Sequence, residues 1–314
     1  MAKMTVNGVQ ELAAAYVAAA KQAGAWNATT DNLYKLIDKI GLQVMLDGKF
    51  QDKLPELDGN DLPLGKTIEE YFIDLTLPSD YDPTGAGALK PAFPETEEPA
   101  YSYTLGRKKI QTSEPFNNVE RAALSAQGAG NMTAKILERL ANSYSLYTYA
   151  QKKQLIANMI AKATEAGLIQ TLAAPSNTET GEAAIKQIKA DVETAQFATE
   201  GTSLSKTLIG AAPELILFVK KGVMPSIEVD TMAGAFNEAK LAIPCTVKVV
   251  DDFGNADPKV WGVLCDPRGI KLHRGYHAIR TNDNGDGDFI NYFDHSENTG
   301  FISKFTFVKV YKNA

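Results

Sequence analysis

The chain has 314 residues, of which 44% are hydrophobic and 22% charged, with a net charge of −6. That content can fill a sizeable core and excludes a disordered chain, while the small negative balance, without a long basic run, argues against dedicated high-affinity nucleic-acid binding. Two cysteines, Cys245 and Cys265, are too few for a disulfide framework and read as buried thiols of a reducing cytoplasm. Neither a signal segment nor an apolar run near 18 residues is visible, so the chain is expected to stay off membranes.

In chain order, residues 8–23 place Val9, Leu12, Ala13, Tyr16, Val17 and Ala20 on one helical face, with Asn7 able to cap. A second helix follows through Leu33, Leu36, Ile37, Ile40 and Val44. Residues 50–66 are rich in Asp, Gly and Pro and read as a loose tether. Two helices on a tether suggest either an arm that docks outside its own core or a small subdomain packed on the same chain.

Tyr71, Ile73, Leu75 and Leu77 alternate with Phe72, Asp74 and Thr76, and Tyr101, Tyr103 and Leu105 with Ser102 and Thr104, predicting two strands. The roughly 22 residues from Pro78 to Pro99 exceed any hairpin turn and suggest a protruding loop ordered by a partner. Its tip carries Glu95, Glu97 and Glu98, and Arg107, Lys108 and Lys109 follow the second strand. An acidic tip on one copy meeting the basic base of the next is a head-to-tail contact that builds rings or lattices, although solvated charges on a mobile loop fit the same residues. Such surface pairs contribute under about 1 kcal/mol each, so they set register more than strength.

Residues 131–167 predict one long helix, with Met132, Ile136, Leu140, Tyr144, Tyr147, Leu155, Met159 and Ala163 on one stripe. Asn131 is placed to cap it and Gly167 to end it. At 1.5 Å per residue it spans roughly 55 Å, a spine across a sheet, with Gln151, Lys152 and Lys153 on a polar face turned to solvent or a neighbour. A coiled-coil helix is the alternative, although the heptad breaks at Gln151.

Beyond it the pattern becomes mixed. A helix through Ile185, Ile188, Val192 and Ala195, a doubly covered strand at Leu215 to Val219, a short helix at 230–239 and a strand through Cys245, Val247 and Val249 suggest an α/β lobe. Strands are predicted at Val260 to Cys265, Phe289 to Phe293 and Phe301 to Tyr311, with a turn at Pro267 and Gly269 and a polar turn from Asp294 to Gly300.

Candidate chemistry is thin. Asn282 to Asp288 resembles the start of a calcium loop, but the twelfth position is Phe293 rather than a bidentate Glu, and a Gly/Asp turn between strands explains the same residues. His273 and His277 are four apart without a CxxC or HExxH, which argues against zinc. Adjacent Asp251 and Asp252 on a strand would point to opposite faces. No nucleophile elbow, phosphate loop or dinucleotide fingerprint occurs, so neither enzyme activity nor a cofactor is expected.

The order of parts, together with Trp261-Gly262-Val263-Leu264-Cys265-Asp266-Pro267-Arg268-Gly269-Ile270 and the closing run Phe301 to Tyr311, resembles the major capsid protein of tailed bacteriophages. This is the Hong Kong 97 fold, shared with encapsulins. The resemblance implies an α+β fold with an N-terminal helical arm (1–66), an extended β-hairpin loop (67–127), a peripheral domain (128–179 and 259–314) holding the spine helix 131–167, and an axial domain (180–258). It implies a subunit that self-assembles through hexamers and pentamers into an icosahedral shell around a double-stranded DNA genome, in a virion made in a bacterial cytoplasm. An encapsulin-like compartment is the alternative. The first strand-like element near residue 68 leaves little room for a cleaved scaffolding segment, so separate scaffolding and portal proteins are expected, with weak non-specific contact to DNA. Lys90, Lys108 and Lys109 lie in or beside the loop, but no motif marks a cross-link.

Overall fold

The computed structural model describes residues 52–63, 68–70, 72–73, 96–97, 100–101, 103–123, 126–197, 201–205, 212, 214–223, 243–254 and 256–314. The expected helices at 8–23, 33–44 and 230–239, and the loop from Pro78 to Glu95 with Glu98, lie outside the described residues. A short ribbon pairs β1 (Ile68–Glu69) with β4 (Ala100–Tyr101) and β2 (Phe72–Ile73) with β3 (Thr96–Glu97). It leads into β5 (Tyr103–Pro115), α1 (Phe116–Ala123) and the spine α2 (Ala126–Glu165). There follow β6 (Ile169–Thr171), α3 (Thr178–Ala195), β7 (Ile216–Lys220), β8 (Thr246–Val250), β9 (Val260–Cys265), β10 (Ile270–Asn284), β11 (Phe289–Ile302) and β12 (Val308–Lys312).

The spine is longer than its pattern predicts. It has 40 residues, about 60 Å, and starts at Ala126, so Asn131 lies inside the helix rather than capping it. The end is as expected: Gly167 adopts φ 76°, Leu168 N–H donates to Ala163 O at 2.8 Å and Gly167 N–H to Thr164 O at 3.1 Å, a Schellman closure.

A five-stranded sheet, ordered β6-β12-β9-β7-β8, forms the centre. Its strands alternate between two cores, which is why β7 and β9 read as unbroken apolar runs. Ile216, Phe218, Val263 and Val310 pack with Leu155, Ile156, Met159 and Ile160 of the spine. Leu217, Val219, Trp261 and Leu264 pack with Ala184, Ile188 and Val192 of α3. The α3 layer starts with a capping box between Asn177 and Thr180. It is tied down by Tyr311, whose hydroxyl donates to Asp191 Oδ2 at 2.8 Å. Burial and the Asp191 carboxylate push that phenol well above its usual range. Cys265 is fully buried and Cys245 half-buried; burial pushes both thiols up, that of Cys245 to about 11.

The second sheet, β10-β11-β5, departs most from expectation. The polar segment Asp294 to Gly300 is not a turn but the middle of the 14-residue β11, and residues 270–284 form a long strand that periodicity did not reveal. The run Phe301 to Tyr311 breaks in two, because Ser303 N–H donates to Gly269 O at 2.7 Å and the chain passes close over Gly269, where a Cβ would overlap Thr306. Residues 282–288 close the β10-β11 hairpin as a turn, with Asn284 Oδ1 accepting from Asp286 and Gly287 N–H at 3.1 Å each. Asp288 takes φ 52° there, a conformation that Asn also tolerates. Asp286→Asn with Asp288→Asn is expected to leave the melting temperature within about 1 °C, with or without calcium; differential scanning calorimetry with calcium and with chelator checks this.

The tether is also not loose. Leu54 and Leu57 are fully buried in the spine core, and residues 52–62 form a strap along β10.

Candidate assembly surface

The four described pairs of the ribbon, Ile68↔Tyr101, Glu69↔Ala100, Phe72↔Glu97 and Ile73↔Thr96, keep one antiparallel register. Both predicted strands are therefore arms of one hairpin, and Glu97, paired with Phe72, lies on the returning arm rather than at the tip expected of it. Its returning arm continues after Tyr103 as β5, an edge strand of the second sheet, so the hairpin is rooted in a folded body.

Arg107, Lys108 and Lys109 lie inside this 13-residue strand rather than past its end. Alternation sends Arg107 and Lys109 to one face and Lys108 to the other. Gly106, at φ 75°, precedes them where the β5–β11 register shifts between Glu297 and Thr299. On the open face the sheet forms a grid. Arg107 lies across from Glu297 and Tyr276, Lys109 from His295 and Ala278, Gln111 from Phe293 and Arg280. The Arg107 guanidinium sits 4.1 Å over the Tyr276 ring and Lys109 Nζ 5.3 Å over Phe293. Arg280 first, and Arg107 after it, hold the Tyr276 phenol below its usual pKa. Arg280 and Tyr276 were not legible in the sequence because β10 was not, and Phe293, although in a predicted strand, had no visible partner across the sheet.

The opposite face packs on the spine. Asn298 Nδ2 donates to Gln151 Oε1 at 2.6 Å, Gln151 Nε2 donates to Tyr147 Oη at 2.7 Å, and Tyr144 Oη donates to Asn298 Oδ1 at 3.4 Å. Gln151 and Lys152 are therefore buried, not on the outward polar face that helical periodicity assigned them. Their partners come from β11 and the strap.

The other candidates separate or serve structure. His273 Nδ1 faces Asn60 O at 3.0 Å, whereas His277 Nε2 lies 2.8 Å from the buried Asp294, with the bulge between Arg274 and Tyr276 intervening. No group of three or more His, Cys, Asp or Glu among the described residues could hold a metal. No helix among them is long and apolar enough to cross a membrane.

Asp251 and Asp252 do not diverge. The chain leaves β8 at Val250, and both carboxylates meet Lys153 Nζ, at 2.8 and 3.0 Å. Burial works to raise Asp251, but the Lys153 ammonium and the Tyr149 hydroxyl outweigh it and hold the carboxyl at about 2. Burial and Asp251 together push Tyr149 up to about 12. Since folding lowers the Asp251 pKa, its contribution is complete above about pH 4 and is lost as pH falls toward 2. With Asp251 43% exposed, screening limits that contribution to under about 1 kcal/mol. Asp251→Asn is expected to flatten the unfolding free energy over that acid range, as read by urea titrations at successive pH values.

Two sheets, a spine helix packed against both and a hairpin reaching out of one of them make up a fold of the Hong Kong 97 type. The family model "Phi29-like phage major capsid protein" matches residues 3–310, and the chain belongs to that family. It is 24% identical over 284 residues to the major capsid protein of Bacillus phage PZA, covering 87% of this chain and 61% of the relative. It is 25% identical over 281 residues to that of Bacillus phage B103, covering 86% and 61%. The chain thus spans about six-tenths of these relatives' length. In structure it resembles a chain from the capsid of Staphylococcus phage Andhra, with a TM-score of 0.65, 12% identity and 86% of each chain covered, a likeness of fold alone.

Proposed function

We propose that this chain is the structural, non-catalytic subunit that self-assembles into the icosahedral shell of a phage capsid. The family match over residues 3–310 carries this reading and favours a phage shell over an encapsulin-like compartment. In this reading, hexamers and pentamers tile a shell around double-stranded DNA, with scaffolding and portal functions supplied by separate proteins made in the same bacterial cytoplasm. Residues 180–258 form the axial part, and 128–179 with 259–314 the peripheral part, joined through the shared five-stranded sheet.

Neighbours meet through the hairpin. The acidic residues Glu95, Glu97 and Glu98 of its returning arm contact the open sheet face of the next copy, where Arg107 and Lys109 stand two residues apart, as Glu95 and Glu97 do. Lys108, on the other face, contributes long-range charge only. DNA contact stays weak in a wall of net charge −6. Negative-stain microscopy of the purified chain tests the function: closed particles or rings are expected, and a discrete monomer or dimer under every assembly condition overturns it.

A further inference from the structure

We propose that residues 52–62 are a latch that locks onto the spine through the buried ammonium of Lys152, and that its docking fixes the root of the hairpin. Lys152 is a charged residue with a side chain 0% exposed, in the middle of a long helix. An ammonium carries three donors. Here its acceptors are Asp52, Asp58 Oδ1 at 2.7 Å and Leu54 O at 2.9 Å, all from the strap. Asp52 Oδ1 also accepts from Leu54 N–H at 2.9 Å, so the same carboxylate shapes the strap that it anchors. Leu54 and Leu57 fill the core beside it, both 0% exposed.

The strap then runs parallel along β10. Gly59 N–H donates to Leu272 O and Leu62 N–H to Arg274 O, each at 2.8 Å, which covers the edge of that strand up to its bulge. Lys271 Nζ donates to Glu56 O at 2.7 Å, and Glu56 pairs with Lys248 of β8. One short acidic segment thus joins the spine and an edge strand of each sheet. It ends six residues before Ile68, where the hairpin begins, and its last bond on Arg274 lies two residues from Tyr276 of the open-face grid.

The chemistry makes docking close to all-or-none. With the strap displaced, the ammonium has none of these acceptors, two leucine-sized holes open and the β10 edge from Leu272 to Arg274 is bare. The charge, more than the leucines, is what the strap must answer, so removing the charge should relieve the dependence. Only the final consequence, on assembly, rests on the hairpin being the contact between copies.

The test uses the full chain. In Asp52→Asn/Asp58→Asn, hydrogen exchange at the Gly59 and Leu62 amides is expected to speed up by about 100-fold, with new chymotryptic cleavage after Leu57. Adding Lys152→Met, which keeps the apolar stem and deletes the charge, is expected to restore protection to within about tenfold of wild type. Wild-type protection in the double variant overturns the latch, and so does failure of the triple variant to regain it. If the double variant does not fold, a folded, protected triple variant supports the latch and an unfolded one overturns it. Particle counts by microscopy on the same samples separate the two claims: a double variant with an unprotected strap and normal shells overturns the link to the hairpin while the latch itself stands.

Discussion

Arg107→Glu with Lys109→Glu is expected to abolish particle formation while the subunit stays folded. Both side chains are exposed, and what they give their own subunit is a cation over an aromatic ring, about 0.5–1 kcal/mol each. The loss of intrinsic stability is therefore under about 2 kcal/mol. Between copies the effect is larger, because reversal turns two attractions into repulsions and every copy in a closed shell both gives and receives the contact. Even about 1 kcal/mol per contact, repeated around a ring, removes the closed state. Lys108→Glu, on the opposite face, is the matched control and should reduce yield far less. Glu95→Lys with Glu97→Lys, mixed with the first variant, should restore co-assembly. Negative-stain counts beside circular-dichroism melts read both effects, and a normal particle yield from the Arg107/Lys109 variant would sink the contact.

Phe218→Ala is expected to cost about 3–5 kcal/mol of unfolding free energy. Phe218 is fully buried on β7, an inner strand of the five-stranded sheet, between Val263 of β9 and Lys248 of β8 in register, and it faces the spine core. Its neighbours Leu217 and Val219 face α3, so β7 cannot shift to fill the hole without disturbing the second core. Urea denaturation followed by fluorescence measures the change. A loss under about 1 kcal/mol would mean that the layers are not tightly packed at this point.

The pattern of the chain determined its regular parts. The spine, α3 and both arms of the hairpin were legible because each presents apolar residues at the period of its own backbone, β7 and β9 because they are short unbroken apolar runs, and Gly167 marked a helix end that only a residue tolerating positive φ serves well. The acidic and basic clusters were visible as charges, but the face that Arg107 and Lys109 share with Arg280, Tyr276 and Phe293 was not. It exists only because β5, β11 and β10 lie side by side, bringing together residues more than 150 positions apart.

Long polar strands were the main failure. In β11, Asp294, Ser296 and Asn298 are buried, so a segment that reads as a solvent turn is interior strand. The same reversal holds for Gln151 and Lys152. On a helical wheel both look outward, yet the fold supplies their partners: Asn298 for Gln151, and Asp52, Leu54 and Asp58 for Lys152. Periodicity reports how a segment divides its own faces. Which face is covered, and by what, depends on partners far along the chain, and only the tertiary structure decided that.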